Sequence, residues 1–190
     1  ANSSDVVRWF TSPTSTTPVS TANPYTTPSL SSSTTYYVED SVPGTLVHVG
    51  PADNTVLGAG GYFSNSTDRY DTFDVYSACT LKSVVAYAQS AGSRTIELRN
   101  SSGTVLNTLT TTMAAGANTI TLNFPLTPGS QYVLGVNGTA NLYRNNAVSG
   151  GYPFTAAGLL SITGSNAGSG YYYYFYDWQL QTAGCVSQRG

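Results

Sequence analysis

The sequence predicts an all-β protein whose main body is an antiparallel, jelly-roll-like β-sandwich, and three observations carry that prediction. No helix-length window repeats apolar side chains at i, i+3, i+4 and i+7 between capping residues. Runs of alternating apolar and polar residues, divided by Gly, Pro and Asn, recur instead. About eight such runs fall at regular spacing between Gly50 and Cys185, the signature of a sandwich rather than of an α/β chain.

Residues 1–42 hold three β runs, VVRWF, TSPTSTTPVSTANPYTTPSL and TTYYVED, the middle one broken by Pro13, Pro18, Pro24 and Pro28. Alone they are too few to make a stable sandwich. Pro43-Gly44 opens a linker over 43–49, and the sandwich occupies 50–190. YDTFDVY and TLKSVVAYA supply strands on either side of Cys79. SRTIELRN sets Ile96 and Leu98 on one face against Thr95, Glu97 and Arg99, and the SSG turn leads into TVLNTLTTT. NTITLNFPLTPG turns Ile120, Leu122, Phe124 and Leu126 one way, and SQYVLGVNG does the same with Tyr132, Leu134 and Val136. The Thr127–Ser130 turn between them predicts a hairpin.

The last strand is the tyrosine run GSGYYYYFYDWQL. Its even positions, Tyr172, Tyr174, Tyr176, Trp178 and Leu180, end in Trp and Leu, whereas its odd positions end in Asp177, Gln179 and Gln181. Unbroken alternation therefore predicts an inward even set and an outward ladder of Tyr171, Tyr173 and Phe175.

Composition bounds the partners. Charged residues make up 8%, against about 25% in an average chain, while 40% hydrophobic residues suffice for a core, so hydroxyls and amides must cover the surface. With one lysine, Lys82, and net charge -2, the chain lacks the basic patch that nucleic acid or an anionic membrane requires. No run of about 18 apolar residues inserts into a bilayer, and ANSSDVVRWF lacks a signal-peptide layout, so the chain is either mature or cut from something longer. Cys79 and Cys185 fit an exported protein. Paired, they would close a loop of about 100 residues, worth roughly 4–5 kcal/mol; two unrelated free thiols are the alternative.

Trp9, Phe10, Tyr25, Thr26, Thr27, Pro28, Leu30, Thr34, Thr35, Tyr36, Tyr37, Val38 and Glu39 resemble the C-terminal part of an immunoglobulin-like module. Such modules recur in large secreted and cell-surface proteins of Bacteroidota, many exported by type IX secretion. TLKSVVAYA, RTIELRNSSGTVL, TLNFPLTPG, YVLGV, LYRN, YPFT, GLLSITGS and YYYFYDW resemble a jelly-roll-like β module that follows it there. The resemblance implies an extracellular structural or adhesive module. It lacks the strands that would precede VVRWF, and the edge this leaves would suit another copy or a neighbouring module and assembly into a filament. DSV at 40–42 is similar to the O-glycosylation motif of those bacteria, which singles out Ser41.

Catalysis finds little support. His48 is the only histidine and no G-x-S-x-G elbow exists, so triad chemistry is disfavoured. Nothing selects a carboxylate pair, and Glu97 beside Arg99 reads as an ion pair. No cofactor is expected. The best metal candidate is calcium at Asp68, Asp71 and Asp74, although alternation in YDTFDVY sends the last two to opposite faces. N-x-S/T sequons stand at Asn2, Asn65, Asn100 and Asn137. A binding surface is better motivated. Tyr143, Arg144 and Asn145, with Tyr152 across a glycine-rich loop and the ladder of Tyr171, Tyr173 and Phe175, combine aromatic faces with amide and guanidinium donors. They suit a polysaccharide or a second copy, and a sandwich end simply covered by Tyr143 and Phe154 is the plain alternative.

Overall fold

The computed structural model describes residues 6–64 and 68–190; the sequons at Asn2 and Asn65 lie outside the described residues. Among the described residues all regular structure is β. The strands are β1 (Val6–Phe10), β2 (Tyr37–Val42), β3 (Leu46–Val49), β4 (Gly60–Phe63), β5 (Tyr70–Val75), β6 (Cys79–Ala88), β7 (Gly92–Arg99) and β8 (Val105–Met113). They continue as β9 (Gly116–Leu126), β10 (Gly129–Asn137), β11 (Leu142–Asn145), β12 (Phe154–Ala156), β13 (Leu160–Ser165), β14 (Tyr172–Tyr173), β15 (Tyr176–Thr182) and β16 (Cys185–Val186).

Two compact units result, Ala1–Thr45 with Ala183–Gly190, and Leu46–Thr182. The first is a sheet of order β1-β2-β16. Its third strand is the chain's own tail. Beyond β16 the pairing continues, with Ser187 N–H donating to Asp40 C=O at 2.8 Å and Gly190 exchanging bonds with Val38 at 3.1 and 3.3 Å. Arg189 fastens it: its Nε donates to Glu39 at 3.0 Å, its Nη1 to the Pro13 and Ser15 carbonyls, and its guanidinium lies 3.6 Å from the Phe10 ring centroid. The edge of β2 is thus covered within one chain. The middle run expected between β1 and β2 is a proline-rich loop holding a single bridge, Ser20 to Trp9. The boundaries move accordingly: 43–49 is no linker, because Leu46–Val49 is a strand of the second unit, and the second unit ends at Thr182 rather than at 190.

The second unit is an antiparallel sandwich. One sheet runs β12-β13-β5-β10-β7-β8; the other runs β14-β11-β6-β15-β3, with β4 on β11 and β9 on β6. Alternation delivers the expected core: Ile96, Leu98, Ile120, Leu122, Phe124, Leu126, Leu134 and Val136 are all buried. Phe73 of one sheet meets Trp178 of the other edge-on at 5.1 Å. The hairpin expected at Thr127–Ser130 does not form. β9 pairs with β6 while β10 pairs with β5 and β7, so this turn carries the chain between sheets. A period of two fixes which face a residue shows, not which strand lies beside it.

Cys79 and Cys185 are free thiols, not a disulfide. Cys79 is turned into the sandwich core, where burial pushes its thiol pKa up, and Cys185 is exposed on β16. Ser41 is no glycan acceptor in a linker; it sits 8% exposed in β2, its hydroxyl donating to Val6 C=O at 3.2 Å.

Candidate functional site

The tyrosine run does not alternate. Tyr174 and Asp177 have φ of 71° and 44°, left-handed conformations that side chains with a Cβ seldom adopt. The kink is held by the Phe175 carbonyl, which accepts the Tyr172 hydroxyl at 2.6 Å and the Trp178 indole N–H at 2.7 Å, and by Asp177 N–H donating to Pro51 C=O at 2.8 Å. Trp178 is buried as expected. Phe175, however, is 0% exposed, so the outward ladder is corrected: Tyr172 through Tyr176 are all core residues and only Tyr171 keeps substantial exposure.

That kink leaves β14 two residues long and places Tyr171 and Tyr173 beside β11, where Arg144 faces Gly61 of β4 on one side and Tyr173 on the other. Here the sandwich opens into a pocket of about 420 Å³ lined by Phe63, Arg69, Arg144, Asn166, Tyr171 and Tyr173. Phe63, Arg144 and Tyr173 come from one sheet, Arg69 from the approach to β5 and Asn166 from the end of β13 in the other, so the pocket is the mouth between sheets.

Its geometry is that of an aromatic box around a cation. The Tyr171 and Tyr173 rings stack at 6.0 Å and 16°, and Phe63 meets Tyr173 edge-on at 6.0 Å. The Arg144 guanidinium lies 4.7 Å from the Phe63 centroid, 5.1 Å from that of Tyr171 and 5.9 Å from that of Tyr173. Arg144 Nη1 and Arg69 Nε are buried with no hydrogen-bond partner among the described residues. Asn166 shapes the wall instead of the ligand surface: its amide donates to Asp68 C=O at 2.9 Å and accepts from Tyr70 N–H at 3.3 Å.

Behind the pocket lies Asp71, 0% exposed. Its Oδ1 accepts the Tyr173 N–H at 3.0 Å and is 3.2 Å from the Tyr152 hydroxyl, which also has the Tyr171 carbonyl at 2.9 Å. One hydroxyl proton faces two acceptors, which suits a neutral carboxyl. Burial pushes the Asp71 pKa well above the ordinary carboxylate value, and the hydrogen bonds from Tyr173 and Tyr152 only partly oppose it. Tyr152 is raised too, first by burial and then by Asp71.

Of the residues expected at a binding surface, Arg144, Tyr171 and Tyr173 converge on this pocket. Tyr152 supports it from behind. Tyr143 stacks edge-on against Tyr62 at 5.6 Å, outside the lining. Asn145 is fully buried, bonding Asn54 C=O, Gly58 C=O and the Tyr176 hydroxyl. Phe63 and Arg69 are missed by sequence reasoning. Asp68, Asp71 and Asp74 do not form a calcium site. Asp68 pairs with Arg99 at 2.6 Å, Asp74 accepts Gln131 N–H at 2.8 Å and Asp71 points into the core, as alternation along β5 requires. Among the described residues no three His, Cys, Asp or Glu side chains group to hold a metal. The remaining sequons are structural: the Asn100 side chain caps its own turn, and Asn137 donates to Glu97 at 2.6 Å.

Fold and site together define an all-β module with a cationic aromatic pocket at the mouth of a sandwich. Residues 1–45 match the family model of the CHU_C-associated Ig-like domain, which identifies that segment as immunoglobulin-like; domains of this kind are typical of extracellular and cell-surface proteins. No curated protein and no solved structure matches the chain.

Proposed function

We propose that the chain is a non-catalytic, adhesive part of an extracellular or cell-surface protein, and that its sandwich binds carbohydrate in the pocket between β4, β11 and β14. One observation carries this: stacked tyrosines and a phenylalanine stand beside two guanidinium groups, each with an N–H that has no acceptor among the described residues. A sugar ring offers the complement, apolar C–H faces for the rings and hydroxyls for the donors. The non-catalytic reading draws on the acids, which are engaged elsewhere: Asp68 and Glu97 with Arg99, Glu39 with Arg8 and Arg189, Asp177 with His48. Assembly through the edge beside VVRWF is the second reading: residues 185–190 pair with the far side of β2, while the outer side of β1 carries only the Trp9–Ser20 bridge among the described residues. Affinity electrophoresis through gels cast with a broad polysaccharide panel tests the proposal. Retardation by at least one polymer, reduced in Tyr171→Ala, is expected; free migration through the whole panel overturns it.

A further inference from the structure

The geometry points to an acidic sugar as the pocket's ligand, one whose ring bears a carboxylate or a sulfate ester. This rests on the carbohydrate reading above and sharpens it. The chain has six arginines, and four are satisfied by protein. Arg8 and Arg189 share Glu39, Arg99 holds Asp68 and Glu97, and Arg94 donates to the carbonyls of Ser90, Ser93 and Ala140. The two left over are Arg69 and Arg144. They line one pocket, each with a buried N–H that has no acceptor among the described residues, and no carboxylate there pairs with either.

A partly buried guanidinium with an unused donor gains from an acceptor, and an anionic oxygen is the strongest acceptor available. Around Arg144 the walls contribute ring faces, which hold the cation in place without neutralising it. Asp71 is buried behind Tyr173 and Tyr152, with Oδ1 on Tyr173 N–H and Oδ2 unpartnered among the described residues, and Asp68 is paired with Arg99, so neither acid is paired with Arg69 or Arg144. In a chain of net charge -2, two uncompensated positive groups in one concavity give the pocket a sign opposite to its surroundings.

The test compares matched polymers on the whole 190-residue chain: polygalacturonate against its methyl ester, and dextran sulfate against dextran, by affinity electrophoresis and titration calorimetry. At least one charged polymer should bind about tenfold or more tighter than its neutral partner, the change expected from one charge-assisted hydrogen bond. Arg69→Met and Arg144→Met should each erase that preference while melting near the parent temperature, and Arg144→Lys should keep part of it. Preference confined to polygalacturonate identifies a carboxylate; preference confined to dextran sulfate identifies a sulfate ester. Equal binding of charged and neutral partners overturns the acidic ligand and leaves the carbohydrate reading standing, whereas no binding across the wider panel overturns both. Charge-selective binding that survives both arginine substitutions places the acid elsewhere and overturns the inference. Should Arg144→Met fail to fold, Arg69→Met and the esterification pair still decide.

Discussion

Arg94 and Arg144 belong to the same sandwich and show opposite ways of housing a guanidinium. Arg94 is 6% exposed and donates from all three nitrogens to backbone carbonyls, so it acts as a clamp between the start of β7 and Ala140. Arg144 is surrounded by three aromatic rings and leaves Nη1 unused. The first arrangement spends every donor nitrogen on the protein; the second leaves one unspent. The difference separates charges that stabilise a fold from charges held in readiness, and it yields an ordered set of expectations.

The largest effect falls on the closed site. Arg94→Met strands buried carbonyls and should cost about 3 kcal/mol of unfolding free energy, measured by urea denaturation, without altering polysaccharide retardation. Asp71→Ala comes next, at about 2 kcal/mol, because it leaves the buried Tyr173 N–H without its acceptor. Asp71→Asn keeps an acceptor and removes the ionisable group. Since burial raises the Asp71 pKa in the folded state, its contribution to stability is intact below the unfolded value of about 3.9 and is lost as pH rises; the Asn variant should therefore gain on the parent from about pH 4 upward. A gain on acidification instead would show that Asp71 is folded as a carboxylate. At the open site the sign reverses. Arg144→Met should shift stability by no more than about 1 kcal/mol yet weaken binding about tenfold or more. Tyr171→Ala, removing one face of the stack, should weaken it by about fivefold. Tyr143→Ala should leave binding unchanged, because Tyr143 packs on Tyr62 outside the pocket.

How much of this the sequence made legible depends on the range of the interaction. The β class, the inward faces of β9 and β10 and the burial of Trp178 follow from a local period of two and were readable. The pairing of β9 and β10 with different sheets was not, because alternation along Ile120–Leu126 is the same whichever strand lies alongside. The tyrosine run misled for a local reason: positive φ at Tyr174 and Asp177 inserts two reversals of face, and neither residue advertises a left-handed conformation as glycine does. That is why Phe175 lies in the core and Tyr173 at the pocket. Arg144, Tyr171 and Tyr173 stood out by chemistry alone. Arg69 and Phe63 did not, since only the tertiary fold brings the start of β5 and the end of β4 to the same mouth. Likewise the C-terminal strand of the first unit is a contact between residues some 140 positions apart, for which local pattern offers no signal.

The most direct measurement is a crystal structure of the chain with an oligosaccharide cut from whichever acidic polymer retards it most. The acidic group is expected within hydrogen-bonding distance of the Arg69 and Arg144 guanidinium groups, with the sugar ring laid on Tyr171. A sugar bound on another face, with both guanidinium groups still lacking an acceptor, would contradict the account.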